Sequence, residues 1–415
     1  MDGTRNELKQ RADYTHKFNI KTGRHGWLRL TPAYSVKVVE EIVESYGSGL
    51  SILDPFCGTG TTALSAAYHG HQAATTDINP FLVWLANAKT TNYSDADILE
   101  AEQAGRIALD LAVREEVEPV AEPPIHKIER WWSERVRRFL CHLKAAIADT
   151  AGHSGPTADL LNMAFCRTLI KLSAAAFNHQ SMSFKDSVQC AFDLNPEAGS
   201  VFQDDLAFVL SGARENPLGD ACVVLGDARS LQSHLDDEFD VVVTSPPYAN
   251  RMSYIRELRP YMYWLGYLAN GRDAAELDWT AIGGTWGVAT SRLSDWQSSG
   301  NHWTPRDLER TLESISSSDN KNGALLSNYV AKYCEDMSAH FCSLTDVLRP
   351  GARIHYIVGN STFYGVLVST EQVYANILKE YGFTDIHVRA IRKRNSKKEL
   401  IEFDVSATWP GKPRQ

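Results

Sequence analysis

The sequence predicts a doubly wound α/β fold carrying a long helical insertion, and three observations predict it. A short apolar run ends in a glycine-rich turn that opens an alanine-rich helix. A second run follows and ends in an acid, completing the order strand, turn, helix, strand. After a long stretch with helical periodicity, apolar runs that end in polar or acidic residues resume and continue to the C-terminal region.

The opening "MDGTRNELKQRADYTHK" is charged and lacks the apolar centre of a signal peptide. In "HGWLRLTPAYSVKVVEEIVESYG", Thr31 and Pro32 have the character of a helix start, because threonine can cap and proline suits the first turn. Val36, Val39, Ile42, Val43 and Tyr46 then supply an apolar face at three- and four-residue spacing. "LSILD" (50–54) is a parallel strand that breaks abruptly into "PFCGTGTT"; "TTALSAAYHG" is the helix that follows, stopping at Gly70. "HQAATTDINP" (71–80) gives the second strand and its acid, Asp77. From about Asp95 to Gly219 the pattern is helical, interrupted by the proline-broken "EVEPVAEPP" (116–124). "ACVVLGDARSL" (221–231) and "FDVVVTSPPY" (239–248) restore strands, and "LRPGARIHYIVGNS" (348–361) adds another. "FTDIHVRAIRK" and "LIEFDVSATW" alternate as a terminal hairpin. Between roughly Ala269 and Leu325, a Ser-, Gly-, Trp- and Asn-rich stretch of weak periodicity is expected to be a long functional loop or a small irregular region.

Composition narrows the class. With 415 residues and 43% apolar content the chain can bury a large core. No apolar run reaches the roughly 20 residues of a membrane span. Seven cysteines without paired spacing argue against a disulfide framework or a zinc site, so no metal is expected and a cytoplasmic setting with reduced thiols is. The net charge of −9 disfavours a passive nucleic-acid coat but leaves room for a local basic face. "RAIRKRNSKK" (389–398) carries six Lys or Arg and no acid, either a solvated surface strip or a phosphate contact.

The chemistry concentrates in two places. In "DPFCGTGTT", Gly58 and Gly60 let backbone pass close to a ligand, and the helix that opens there offers amides to an anion. A phosphate-binding loop of the Lys-containing kind would need lysine where Thr61 stands. A dinucleotide loop, with Ala63 replacing the third glycine, another nucleoside site and an ordinary tight turn all remain open. Asp77 is placed to hydrogen-bond ribose hydroxyls, and Asp227 to accept from an exocyclic adenine amine. Asp54, Asp77 and Asp227 all fall at the carboxyl ends of strands, where open parallel sheets bind ligands.

The second place is "TSPPY". An exocyclic amine of cytosine or adenine is a poor nucleophile because its lone pair is delocalised into the ring. Accepting hydrogen bonds from both of its N–H groups draws the nitrogen toward tetrahedral geometry. The Ser245 hydroxyl and the Pro246 carbonyl could accept one each; the Pro246–Pro247 pair stiffens the chain and removes competing donors, and Tyr248 offers a face for stacking. A base inside a duplex would first have to be flipped out.

"LDPFCGTGTT", "TTDINP", "LGDARSL" and "VVVTSPPY" together resemble the S-adenosylmethionine-dependent DNA amino-methyltransferases of the N4-cytosine/N6-adenine family. The resemblance covers about half of the chain: 14–95, 221–264 and the terminal strands. It implies a doubly wound, seven-stranded Rossmann-like methyltransferase sheet with S-adenosyl-L-methionine as cofactor. Asp54, Pro55, Phe56, Gly58, Gly60 and Thr61 would surround the methionine part, with Asp77 on the ribose, Ile78 against the adenine ring, and Asp227 with Ala228 near the adenine amine. Ser245, Pro246, Pro247 and Tyr248 would form the base pocket. "HGWLRLTPAYS" is similar to a weak form of the family's additional cofactor-flanking motif.

Two departures matter. In the common permuted N4-cytosine enzymes the P-P-Y motif precedes the cofactor loop, whereas here it follows, and the insertion between Asp77 and Asp227 is long. A subset of N4-cytosine enzymes with such an insert is the closest likeness. The chain then divides into a cofactor half (1–95), the insertion (96–220), a catalytic segment (221–268), a candidate target-recognition region (269–325) and C-terminal strands (326–415). The helices around Trp131 to Lys144 are the second candidate for target recognition. Serine at the head of S-P-P-Y leans, in that family, toward cytosine N4, aspartate toward adenine N6. The absence of a Pro-Cys nucleophile after the strand argues against carbon-5 methylation, and Cys57 reads as a packed small residue.

The expectation is therefore N4-methylcytosine in double-stranded DNA, in a restriction-modification setting that could include a companion endonuclease. A basic cleft would be built from Arg251, Arg256, Arg259, Arg392, Lys393, Arg394 and Lys397. N6-adenine methylation is the alternative, followed by an RNA amino-methyltransferase. An NAD-dependent oxidoreductase leaves "SPPY" unexplained, and a non-catalytic scaffold leaves four acids and hydroxyls (Asp54, Asp77, Asp227, Ser245) without a purpose.

Overall fold

In the computed structural model, residues 8, 10–28, 34–176, 183–184, 197–285, 288–318, 321–394 and 400–412 are described. Seven strands form one sheet: β1 (Ser51–Asp54), β2 (Gln72–Asp77), β3 (Ala221–Leu225), β4 (Phe239–Thr244), β5 (Leu348–Gly359), β6 (Thr384–Lys393) and β7 (Ile401–Thr408). Their spatial order is β3-β2-β1-β4-β5-β7-β6. The five strands from β3 to β5 run parallel, and β7 pairs antiparallel with both β5 and β6. This is the doubly wound, seven-stranded α/β sheet expected from the sequence.

Alternation along the central strands builds the two layers. Ile52, Val241, Val243 and Ile357 pack against α1 (Val36–Val43) and α2 (Thr61–Tyr68). Their neighbours Leu53, Val242, Tyr356 and Val358 point to the other layer. Residues of β4 are buried on both sides, as a central parallel strand requires. Helix α1 begins at Val36 with Ser35 as its cap; Thr31 and Pro32 lie outside the described residues. α3 (Pro80–Thr90) starts with the Asn79 side chain accepting from Phe81 N–H and proline in the first turn.

The insertion contributes α4 (Asp95–Arg114), α5 (Glu134–Ala151), α6 (Pro156–Lys171) and α7 (Ala198–Ala213). Its apolar core, including Trp131, Trp132, Leu140 and Phe165, is continuous with Phe81 and Leu85 of α3 and with Met262 and Trp264 of α8 (Tyr254–Trp264). Arg24 nails the N-terminal segment to this body. It is fully buried and donates to the carbonyls of Lys89, Thr91, Gly212 and Ala213 and to Asn216 Oδ1.

The stretch 269–325 differs from the expected irregular region, for it holds three helices: α9 (Gly271–Thr280), α10 (Val288–Asp295) and α11 (Arg306–Ser316). Each is short and buries few residues, and these include Leu293, Leu308 and Ile315 at the edge of the long α12 (Gly323–Leu344). So little apolar surface per helix leaves weak periodicity to read. α12 and α13 (Thr370–Glu380) cover the second face of the sheet. Among the described residues, no helix is long and apolar enough to cross a membrane.

Candidate functional site

The C-terminal ends of β1, β2 and β4 lie side by side, with β1 paired in parallel to both neighbours. At the end of β1, Asp54 is 1% exposed. Its Oδ1 accepts from Phe56 N–H (3.1 Å) and from the Thr244 hydroxyl (2.6 Å). Among the described residues its Oδ2 is buried without a hydrogen-bond partner. Burial pushes the carboxyl up to about 6, against the opposing pull of Thr244, the Phe56 N–H and the nearby Thr62 hydroxyl.

The loop after Asp54 is clamped from β2 and α3. Cys57 N–H donates to Thr76 O (2.8 Å), and the Thr75 and Thr76 hydroxyls donate to the carbonyls of Asp54 and Pro55. Gly58 N–H donates to Asp77 Oδ2 (3.0 Å) and Asn79 N–H to Asp77 Oδ1 (2.9 Å). Burial raises the Asp77 carboxyl to about 7 despite these donors. Gly60 sits at φ +74° with its backbone against α3, where an added Cβ would lie 2.9 Å from Ala86 Cβ. From α3, the buried Lys89 ammonium donates to Thr59 O (3.0 Å), and burial lowers it to about 7. Phe56 packs edge-on to His340 with ring centroids 4.8 Å apart, and Thr61 Oγ1 lies 2.9 Å from Thr59 Oγ1. Cys57 is buried, and burial pushes its thiol well up, as befits a packed residue.

The predicted adenine side has a different arrangement from the simple one the sequence suggests. Asp227 lies two residues beyond β3 and caps a short 3-10 turn through Arg229 N–H. The Arg229 guanidinium engages both of its carboxylate oxygens and also reaches Asp336 (2.7 Å). An adenine amine would share Asp227 with that arginine. Ile78 is half-buried beside Asp77, and Ala228 is buried with its carbonyl accepting from His340 Nδ1 (2.8 Å).

β4 runs into Ser245, Pro246, Pro247 and Tyr248 at the same end of the sheet, and Thr244 couples this motif to Asp54. Three tyrosines brace the turn. Tyr333 donates to Pro247 O (2.8 Å) and shares a 2.6 Å contact with the Tyr374 hydroxyl, while the Tyr254 hydroxyl accepts from Tyr248 N–H (3.4 Å). Tyr248 itself is half-buried, and its hydroxyl donates to Glu402 Oε1 (3.0 Å). Burial holds its phenol far above the ordinary value; Glu402 adds to this, while Arg394 and a hydrogen bond with Ser245 oppose it. Tyr34, from the flanking motif, hydrogen-bonds Thr62, which in turn donates to Val243 O (2.9 Å).

The basic residues divide. Arg251 is exposed. Arg256 and Arg259 are half-buried on α8, the latter 5.2 Å from the Trp131 ring. Contrary to a solvated strip, Arg392 is committed to Glu402 (2.7 and 2.9 Å), and Arg394 lies over the Tyr248 ring (5.0 Å) while donating to Asn360 O. The cause is the β6–β7 register, which sets Arg392 opposite Glu402. Lys393 is half-buried, and Lys397 lies outside the described residues.

Sequence reasoning missed Thr244, Lys89, Tyr333 and Glu402. For Glu402 a signal existed: "RAIRK" and "IEFD" present Arg389 and Arg392 to Asp404 and Glu402 once the hairpin is in register. The other three are ordinary helix or strand residues whose partners lie far away in sequence.

Comparison with known proteins adds kinship. Residues 36–116 match the family of D12 class N6 adenine-specific DNA methyltransferases. The type II methyltransferase M.BsoBI of Geobacillus stearothermophilus is 20% identical, the match covering 96% of this chain and 86% of that one. M.MvaI of Kocuria varians is 21% identical (89% and 82% covered), and M.AvaI of Nostoc sp. 22% (95% and 86%). Among solved structures, the rRNA methyltransferase aviRa from Streptomyces viridochromogenes aligns over 94% of this chain and 92% of its own at 12% identity, with a TM-score of 0.28 too low to bear on function.

Proposed function

We propose that this chain, an S-adenosylmethionine-dependent methyltransferase by its sheet, its cofactor loop and its relatives, methylates specific sites in double-stranded DNA. The donor set suits the cofactor: a buried carboxylate oxygen of Asp54 without a partner is offered to its ammonium, and Asp77 at the end of β2 to its ribose. When bound, S-adenosylmethionine supplies an electrophilic sulfonium methyl. The chain's own residues bind, orient and polarise.

The finer reading is transfer to the N4 amine of a flipped-out cytosine. Ser245 Oγ and the Pro246 carbonyl accept hydrogen bonds from the amine, and Tyr248 holds the base plane. No metal and no covalent intermediate enter; positioning and polarisation carry the rate. The observation that supports this is the Thr244–Asp54 bond, which ties the strand end carrying S-P-P-Y to the loop after β1, where amine and methyl donor would have to meet. Serine at position 245 supports cytosine. The matched D12 family favours adenine N6 as the second reading, but that match ends at residue 116, before the base motif begins. Recognition of the target sequence is assigned to 269–325, whose helices lie at the edge of α12; in the second candidate, Trp131 and Trp132 are buried and serve the core.

The test is single-molecule methylome sequencing of DNA from cells expressing the chain, beside a Ser245→Ala control. N4-methylcytosine at one motif, lost in the control, is the expected outcome. An adenine signal keeps the mechanism and replaces the base; transfer to RNA alone overturns the DNA reading. Mapping the motif also shows whether a companion endonuclease with the same target is worth seeking.

A further inference from the structure

Three C-terminal residues form a back-plate behind the base motif. Glu402 is 4% exposed although β7 alternation would assign it to solvent. Its two carboxylate oxygens take both hydrogen bonds of the Arg392 guanidinium, and Oε1 also takes the Tyr248 hydroxyl. Arg394 lies over the Tyr248 ring, pinned through Nη1 to Asn360 O (3.0 Å). Gly359 permits this: a Cβ there would stand 2.5 Å from Arg394 Nη1 and 3.0 Å from Tyr248 Cε2. A tyrosine fastened at its hydroxyl, backed by a cation and set against a glycine cannot swing about its Cα–Cβ bond.

We infer that Glu402, held by Arg392, is a positioning residue for the base site: it fixes the Tyr248 ring so that the face away from Arg394 receives the flipped base. This rests on the base-methylation reading. An unfastened ring would still stack, but at variable angles, and the target amine would drift from the Ser245 and Pro246 acceptors. A misplacement of that kind lowers turnover far more than cofactor binding. A buried carboxylate paired to arginine is a costly group to retain on a strand flanked on both sides unless its geometry is used.

The test is a double-mutant cycle on the full chain, with transfer of labelled methyl from S-adenosylmethionine to plasmid DNA as the readout. Tyr248→Phe keeps the ring and removes the hydroxyl; Glu402→Ala removes its acceptor; Glu402→Gln keeps an amide oxygen that can still accept. Each of the first two should lower kcat by about tenfold or more while KM for S-adenosylmethionine stays within about twofold. Glu402→Gln should recover part of the loss. In the Tyr248→Phe background, Glu402→Ala should cost nothing further, because both remove the same contact. Wild-type kcat in Glu402→Ala, or a loss that adds in full to that of Tyr248→Phe, overturns the inference. If Glu402→Ala does not fold, Glu402→Met, which keeps the volume and removes the acceptor, enters the same cycle in its place, and full additivity again overturns it. A wild-type chain that binds cofactor yet transfers nothing to any DNA fails the DNA reading instead.

Discussion

Thr244→Val is the most informative perturbation of the link between the two motifs. The substitution keeps the volume of a fully buried side chain and deletes the hydroxyl that donates to Asp54 Oδ1 at 2.6 Å. Only Phe56 N–H, at 3.1 Å, then remains on that oxygen. A hydrogen bond to a charged group is worth about 1.5–3 kcal/mol, and each pKa unit corresponds to about 1.4 kcal/mol. The Asp54 carboxyl, at about 6 in the native chain, should therefore rise by about one to two units more. Because its folded value is raised above the unfolded one, Asp54's contribution to stability is present at low pH and lost as pH rises through about 6. In the variant the loss extends to higher pH and is larger. Binding the cofactor's ammonium needs the ionised form, so affinity for S-adenosylmethionine should fall as pH drops through about 6 in the native chain and at higher pH in the variant. Calorimetric titrations between about pH 5.5 and about pH 8 measure this shift directly. Superimposable affinity profiles for native and variant chains would refute the argument that Thr244 controls the charge at Asp54.

Three further expectations follow from single contacts. Gly60→Ala should weaken cofactor binding and lower Tm, since it meets both a positive φ and Ala86, whereas Gly49→Ala at φ +76° in open space should show only the backbone cost of about 1–2 kcal/mol; equal effects would contradict the role of the Ala86 contact. Lys89, lowered by burial to about 7, is charged in the unfolded chain well above that pH, so its contribution to stability rises between about 7 and its ordinary value of 10.5. Denaturant titrations should show Lys89→Met losing up to about 3 kcal/mol relative to wild type between about pH 7 and about pH 9.5, and a constant difference would place the ammonium outside the buried site. DNA affinity should fall steeply with salt, and Arg251→Ala should reduce the log–log slope by about one; an unchanged slope would remove the exposed Arg251 from the phosphate path.

Local pattern and chain order are enough to specify the strands and the polar residues at their ends. Strand alternation, the glycine turn opening a helix and the acid closing β2 are short-range features. They place Asp54, Asp77 and "SPPY" at the carboxyl ends of parallel strands, because βαβ units twist in one sense and leave those ends together. The terminal hairpin was legible too, but not the direction of its charges. Alternation assigns Arg392 and Glu402 to water, and only the β6–β7 register, with Gly359 leaving room, turns them toward Tyr248. The same holds for Lys89 beneath Thr59, for Tyr333 on Pro247 and for Arg229 on Asp336. Each is a polar group whose partner lies on another element, 30 residues away for Lys89 and Thr59 and 190 for Thr244 and Asp54. Burying such a group is favourable only when the partner arrives with it, and which partner arrives is a property of the assembled layers.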